Sequence, residues 1–186
     1  MARLIVFTAD LAEIIARTEP RAGIRWARPA DCAALEAAGL DGKWAAAMLR
    51  GGSRFVVAEE QGRMVGCSAY LLRERVRPYG WLAILPRPGR DVVSIGVAVV
   101  PERRGDRLFG GMQAFAARAF AAEGYGRMVA CVERDNRSAI RAQRRIGAVP
   151  AASLTRLRIG RLMLVWRGWR PSHISWRRGR RFELRL

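Results

Sequence analysis

Arg103, Arg104 and Arg107 stand close together around Gly105 and Asp106, in the stretch VAVVPERRGDRLFGG from Val97 to Gly111. An apolar run closes at Pro101, and an amphipathic run opens at Leu108. A helix that starts directly behind a strand aims unpaired N–H groups into the connecting turn, and a glycine there lets a ligand approach the backbone. Guanidinium groups add charge-assisted contacts to phosphate oxygens. The chemistry on offer is the holding of an anion, and it competes with the plainer reading of a basic, solvated turn.

The elements that must position this turn follow an alternating pattern. LIVFT reads as a short strand, DLAEIIART as a helix with Asp10 at its cap, and GIRWARP as a strand. ADCAALEAAG and GKWAAAMLRGG read as helices ended by Gly39 and Gly51. Two apolar runs around EEQGR signal a hairpin. RERVRPYGWLAILPRPGRD, rich in Pro and Gly, reads as a loop with one short strand, and VVSIGVAVV as a central strand buried on both faces. Leu108, Phe109, Met112, Phe115, Ala116, Ala119 and Phe120 recur at helical spacing and mark one apolar, core-facing stripe. RMVACV is a strand, DNRSAIRAQRRIG a helix capped by Asn136, and LTRLRIGRLMLVW two strands joined near Gly160. The order predicts a mixed α/β fold, a central mixed β-sheet flanked by helices. With 186 residues, 51% of them hydrophobic, one core suffices.

The turn resembles one half of a known pair of motifs, and VERDNRSAIRAQRRIGA, Val132 to Ala148, resembles the other. Together they are similar to the GNAT superfamily of N-acetyltransferases. There a strand ending in Val-x-Pro leads into an Arg-Gly-x-Gly-x-Gly/Ala turn, and a later strand leads into Asn-x-x-Ala-x-x-x-Tyr-x-x-x-Gly-Phe. Val99, Pro101, Arg104 and Gly105 match the first pattern, and Asn136, Ala139 and Gly147 match the second. The resemblance implies a GNAT-like acyl-CoA N-acyltransferase fold over residues 22–168, with 1–21 as an N-terminal extension and 169–186 as a basic tail rich in Arg and Trp. It implies acetyl-CoA as co-substrate and no metal. It also implies a pyrophosphate cradle drawn from Arg103, Arg104, Gly105, Asp106, Arg107, Leu108 and Phe109. Val99 and Val100 would supply a backbone donor to the thioester carbonyl, and Asn136 and Gln143 would come from the second motif.

The departures are Arg107 and Phe109, where the turn has its later glycines, and Gln143, where many members have a tyrosine that protonates the departing thiolate. Arg107 would either clamp a phosphate or crowd the cradle. An amide cannot act as a general acid, yet a thiolate whose conjugate acid has a pKa near 8.5 can leave with little help. Glu133, just past a strand end, and Glu74 and Asp91, flanking the approach of the central strand, are the candidate bases for the acceptor amine, each also readable as an ordinary surface carboxylate.

Formal net charge is +18, and fourteen arginines against one acid, Glu183, carry +13 of it between Arg137 and Leu186. Such a field draws anionic partners: an anionic amine acceptor such as an amino sugar on a nucleotide or lipid carrier, nucleic acid, or an anionic membrane surface. In the tail, Trp166, Trp169 and Trp176 interleave with seven arginines, which fits a peripheral membrane contact, nucleic acid, or tryptophans packed back on the domain. His173 reads as solvated within this tail, and Cys131 as a small buried apolar group. Three scattered cysteines and one histidine argue against disulfides and against a metal knuckle. No apolar run is long enough to span a membrane, and the amino terminus does not read as a signal peptide, so a cytoplasmic protein is expected, with a peripheral place at the inner membrane face as a further expectation. Two function classes remain open: an acetyl-CoA-dependent N-acetyltransferase acting on a primary amine, and a catalytically lapsed module of the same fold that binds nucleic acid or anionic membrane through its basic carboxy-terminal half.

Overall fold

The computed structural model describes residues 1–21, 23–37, 39–175 and 181–186. Strands β1 (Ala2–Asp10), β2 (Ile24–Trp26), β3 (Arg54–Glu60), β4 (Arg63–Leu71), β7 (Asp91–Val99), β8 (Arg127–Glu133), β9 (Val149–Ile159), β10 (Leu162–Arg167) and β11 (Arg170–Ser175) form one sheet, in the order β11-β10-β9-β1-β8-β7-β4-β3-β2. Strands β5 (Val76–Tyr79), β6 (Leu82–Leu85) and β12 (Phe182–Arg185) form a second, three-stranded sheet. The helices are α1 (Leu11–Arg17), α2 (Cys32–Ala37), α3 (Gly42–Arg50), α4 (Leu108–Ala122) and α5 (Arg137–Arg145). The mixed sheet flanked by helices is the architecture that the alternating pattern predicts.

Residues 1–21 are not an extension outside the domain. β1 is nine residues long and lies between β8 and β9, antiparallel to both. A strand so enclosed must be apolar on both faces: Leu4 and Val6 enter one core, Phe7 and Ala9 the other. On the second face α1, α4 and α5 pack through Leu11, Ile14, Met112, Ala116, Phe120 and Ile140. On the first face lie α2, α3 and the small sheet.

The segment expected as a loop with one short strand before the central strand carries two, the hairpin of β5 with β6, and the carboxy-terminal residues pair with it. β12 runs parallel to β6 from Phe182↔Leu82 to Arg185↔Leu85, and Phe182 and Leu184 are buried. The tail is therefore part of the core at its end, and β11 extends the large sheet. Trp176, Arg177, Arg178 and Arg180 lie outside the described residues.

The central strand departs from the expectation of full burial. β7 and β8 are parallel and paired from Asp91↔Arg127 to Ser94↔Ala130; beyond that point the pairing stops, although β7 continues to Val99. On its other edge β7 carries a bulge: Cys67 of β4 opposes Ala98 and Ala69 opposes Ile95, so Gly96 and Val97 together face Ser68. Gly96 holds a left-handed φ of 61° beneath the Trp44 ring, where a Cβ would collide with the indole. Val97 is 42% exposed in the middle of a nine-stranded sheet, which marks an open gap.

Candidate active site

The gap and the basic turn share one end of the sheet. Val100 donates its N–H to the Val65 carbonyl on β4 at 3.0 Å. One residue earlier on an extended strand the N–H and carbonyl point to the opposite edge, so those of Val99 face the gap. The Val99 carbonyl accepts a bond from Arg104 Nε at 3.2 Å. After a single helical turn at Pro101–Arg103, Gly105 turns the chain with φ 100°, and nothing lies within 4 Å of where its Cβ would be.

α4 begins with no side chain capping it. Its first backbone bond from within the helix is Gly111 N–H to the Arg107 carbonyl, so the N–H groups of Leu108, Phe109 and Gly110 point back into the turn. Arg107 sits at the N-cap with φ 59° and ψ 16°, the left-handed conformation that glycine adopts without strain. The residue is exposed. Leu108 is buried in the core and Phe109 packs against it, which is why a large residue replaces the third glycine or alanine there. Arg103 does not reach into the turn alone; it is paired with Glu60 of β3 and, at 3.2 Å, with Asp106. That leaves Arg104 and Arg107 as the turn's cations without a carboxylate partner among the described residues.

Asn136 caps α5 by accepting from the Ala139 N–H at 3.0 Å and the Ser138 hydroxyl at 2.9 Å. At the other end Gly147 has φ 85°, and a Cβ there would strike Glu13 and Arg17 of α1. Both motif positions thus have a local structural cause. Gln143 is buried on the inner face of α5.

The three carboxylates do not converge. Asp91 lies at the far end of β7, its side chain sealed from solvent, held by Arg127 at 2.8 and 2.6 Å and by the Arg87 N–H at 2.8 Å. Glu74 is near that same end, sharing a small cleft of about 200 Å³ with Asp91 and Tyr125. Eight strand steps lead from this end to Val99, roughly 26 Å at about 3.3 Å per step. Asp91 is a structural ion-pair partner, and neither it nor Glu74 faces the gap. Glu133 does: counting on from Ser94↔Ala130 places it level with Val97 across the opening, and it is exposed.

Tyr79 ends β5, in the segment expected as a loop with one short strand. It packs on the same core face as Ile95 and Cys131 and stacks on Trp81 with centroids 6.3 Å apart. Burial, with the charge of Glu133 added, pushes its phenol up to about 12, so it stays protonated. Burial pushes the Cys131 thiol up to about 12, away from the thiolate form. His173 is half-buried with its ring 6.1 Å from Phe182, in place of the solvated position expected for it. Among the described residues no group of three or more His, Cys, Asp or Glu could hold a metal ion.

A strand that splays from its parallel neighbour, ending at a bare helix N-terminus, is the arrangement the two motifs call for. Residues 23–148 match the family model described as Acetyltransferase (GNAT) family. The chain belongs to the GNAT acetyltransferase family. Solved structures with the same fold include a functionally unknown conserved protein from Staphylococcus epidermidis, with a TM-score of 0.61 and 11% identity over 82% of this chain and 59% of that one. Another is an acetyltransferase of the GNAT family from Colwellia psychrerythraea, with a TM-score of 0.59 and 14% identity over 81% of this chain and 53% of that one. The chain thus spans between half and three fifths of the length of these two structures. No curated protein matches it. The family uses acetyl-CoA, and the open turn, the uncapped N–H groups and the free edge at Val99 fit such a molecule. Among the described residues no helix is long and apolar enough to cross a membrane.

Proposed function

We propose that the protein transfers an acetyl group from acetyl-CoA to the primary amine of an anionic acceptor. The observation that carries this reading is the coincidence of the β7–β8 gap with the uncapped N-terminus of α4. Acetyl-CoA supplies an acyl group already activated as a thioester. The N–H groups of Leu108, Phe109 and Gly110, with Arg104 and Arg107, would hold its diphosphate. The Val99 N–H faces the gap, where a carbonyl oxygen gaining negative charge needs a fixed donor.

An alkylamine is protonated near neutral pH, so the attacking nitrogen must first lose a proton. Glu133, exposed at the end of β8 across from Val97, would take it, directly or through one water. The C–N bond then forms as the C–S bond breaks, the thiolate departs, and the second proton of the nitrogen passes to the thiolate or to water. Gln143 supplies no proton at that step. The net charge of +18 supports an anionic acceptor, which the field of the whole chain would draw toward the site.

The buried amide of Gln143 favours one second reading, a lapsed active site in a fold kept for binding. Turnover with a panel of amino-sugar phosphates and nucleotide-linked amino sugars separates the two. An active enzyme loses at least tenfold in turnover in Glu133→Gln and keeps or gains rate in Gln143→Tyr. A lapsed module shows no acetylated product with any acceptor, in either the wild-type chain or Gln143→Tyr.

A further inference from the structure

β9, β10 and β11 carry the large sheet past the helices that cover it elsewhere. Leu154 of β9 and Met163 and Val165 of β10 turn toward the small sheet. Strand alternation turns the intervening residues to the opposite face. There the pairing lines them up in rows: Leu157, Leu164 and Ile174 stand side by side across the three strands, Ile159 stands beside Leu162, and Trp166 lies between Thr155 and Pro171. None of Leu157, Ile159, Leu162, Leu164, Trp166 and Ile174 belongs to any of the three buried clusters. Ile159 and Ile174 are each 61% exposed. The apolar residues of α5, Ala139 and Ile140, belong to the cluster that holds Ile5 of β1 and Val132 of β8.

This apolar face has a basic rim. The exposed residues of α5 include Arg137, Arg141, Arg144 and Arg145, spaced to share its outer side. At the β10–β11 turn stand Arg167 and Arg170, with Trp169 between them 99% exposed. No carboxylate of the described residues pairs with any of them. An occupant must therefore be apolar at the centre and anionic at the margin. A second copy of this chain, itself at +18, brings the same charge to the rim. Nucleic acid satisfies the arginines but buries no row of aliphatic side chains. An anionic bilayer supplies both layers: acyl chains for Ile159, Leu164 and Ile174, headgroup phosphates for the arginines, and the interfacial zone that tryptophan prefers.

We infer that the outer face of β9–β11, with the Trp169 turn and the arginines of α5, is a peripheral docking surface for an anionic lipid bilayer. This surface uses none of the residues given to acetyl transfer and goes beyond that reading: loss of acetyl-CoA binding leaves it standing, and loss of lipid binding leaves the transfer site standing.

The test is co-sedimentation of the full chain with vesicles of phosphatidylcholine alone and of phosphatidylcholine with about a third phosphatidylglycerol, at roughly 100 mM salt. The expected result is at least a tenfold stronger partition onto the anionic vesicles, with a blue shift of tryptophan emission. Trp169→Ser with Ile174→Ser reduces that partition at least tenfold, as does Arg167→Glu with Arg170→Glu, while both variants keep the wild-type melting temperature and acetyl-CoA binding. Three results overturn the inference. One is equal partition onto neutral and anionic vesicles, or none. Another is anionic binding that the Trp169→Ser, Ile174→Ser variant leaves unchanged, which is a charge-only surface of the kind nucleic acid would use. The third is a stable dimer at micromolar concentration that Ile174→Ser dissolves, which gives the face to a second copy.

Discussion

Arg107→Gly stabilises the protein, and the structure gives the size of the effect. Arg107 holds φ 59° and ψ 16° at the N-cap of α4. An L-residue in the left-handed region costs about 1–2 kcal/mol relative to its preferred conformations. Glycine removes that cost, but it also gives the unfolded chain about 0.4–1 kcal/mol of extra freedom. The exposed guanidinium has no carboxylate partner to lose. The net gain is about 0.5–1 kcal/mol, or roughly 1–4 °C in melting temperature for a chain of this size. Arg107→Ala is the control, because alanine removes the charge and keeps the Cβ. Differential scanning calorimetry of the three proteins at one pH separates the two effects. Glycine must exceed both arginine and alanine; alanine equal to or above glycine would assign the cost of Arg107 to its charge and not to its backbone.

Asp91→Ala leaves the Arg127 guanidinium unpaired against a buried strand end, which destabilises the fold by about 3–5 kcal/mol in urea unfolding. Because Asp91 lies far from the gap, acetyl-CoA affinity of the fraction that remains folded stays within twofold of wild type. At high pH the buried acids set the stability. Burial pushes the thiols of Cys67 to about 11 and of Cys131 to about 12, and the phenol of Tyr79 to about 12. A group whose folded value is raised contributes fully below its unfolded value and loses that contribution as pH rises through the folded one. Stability therefore falls between about pH 9 and 12, and Cys67→Ala with Cys131→Ala flattens that limb of the urea midpoint against pH. Asp31 works on the acid side. Held below the usual carboxylate range by Arg25, it contributes stability at neutral pH that is lost as pH falls below its ordinary value of 3.8.

The turn, its glycine and the strand and helix on either side were legible because each is a local matter: Gly105, the apolar run before Pro101 and the helical spacing after Leu108. Asn136 was legible for the same reason, as a cap whose partner is three residues away. What the local pattern could not show is pairing. β1 is a short apolar run in sequence, and nothing in LIVFT states that it will be enclosed between β8 and β9. VVSIGVAVV looks like a strand buried along its whole length, because periodicity carries no sign of where a neighbour leaves; only the glycine at 96 hinted at the bulge. Asp91 passed as a surface carboxylate because its partner, Arg127, is 36 residues away. Tyr79 and Trp81 were hidden by the prolines and glycines around them, and the tail by its arginines, although Phe182 and Leu184 alternate as a half-buried strand does.

We propose that the turn from Arg104 to Gly110 is a diphosphate cradle for acetyl-CoA. Calorimetric titration with acetyl-CoA in low-phosphate buffer tests it most directly, on the wild-type chain and on Gly105→Glu, whose side chain places a carboxylate where the anion would lie. A cradle there gives saturable one-to-one binding by the wild-type chain, a thermal stabilisation of about 2.7 kcal/mol at about 100 times the dissociation constant, and loss of both in a Gly105→Glu protein that remains folded. Absence of binding to the wild-type chain at millimolar acetyl-CoA, or binding that Gly105→Glu leaves intact, contradicts it.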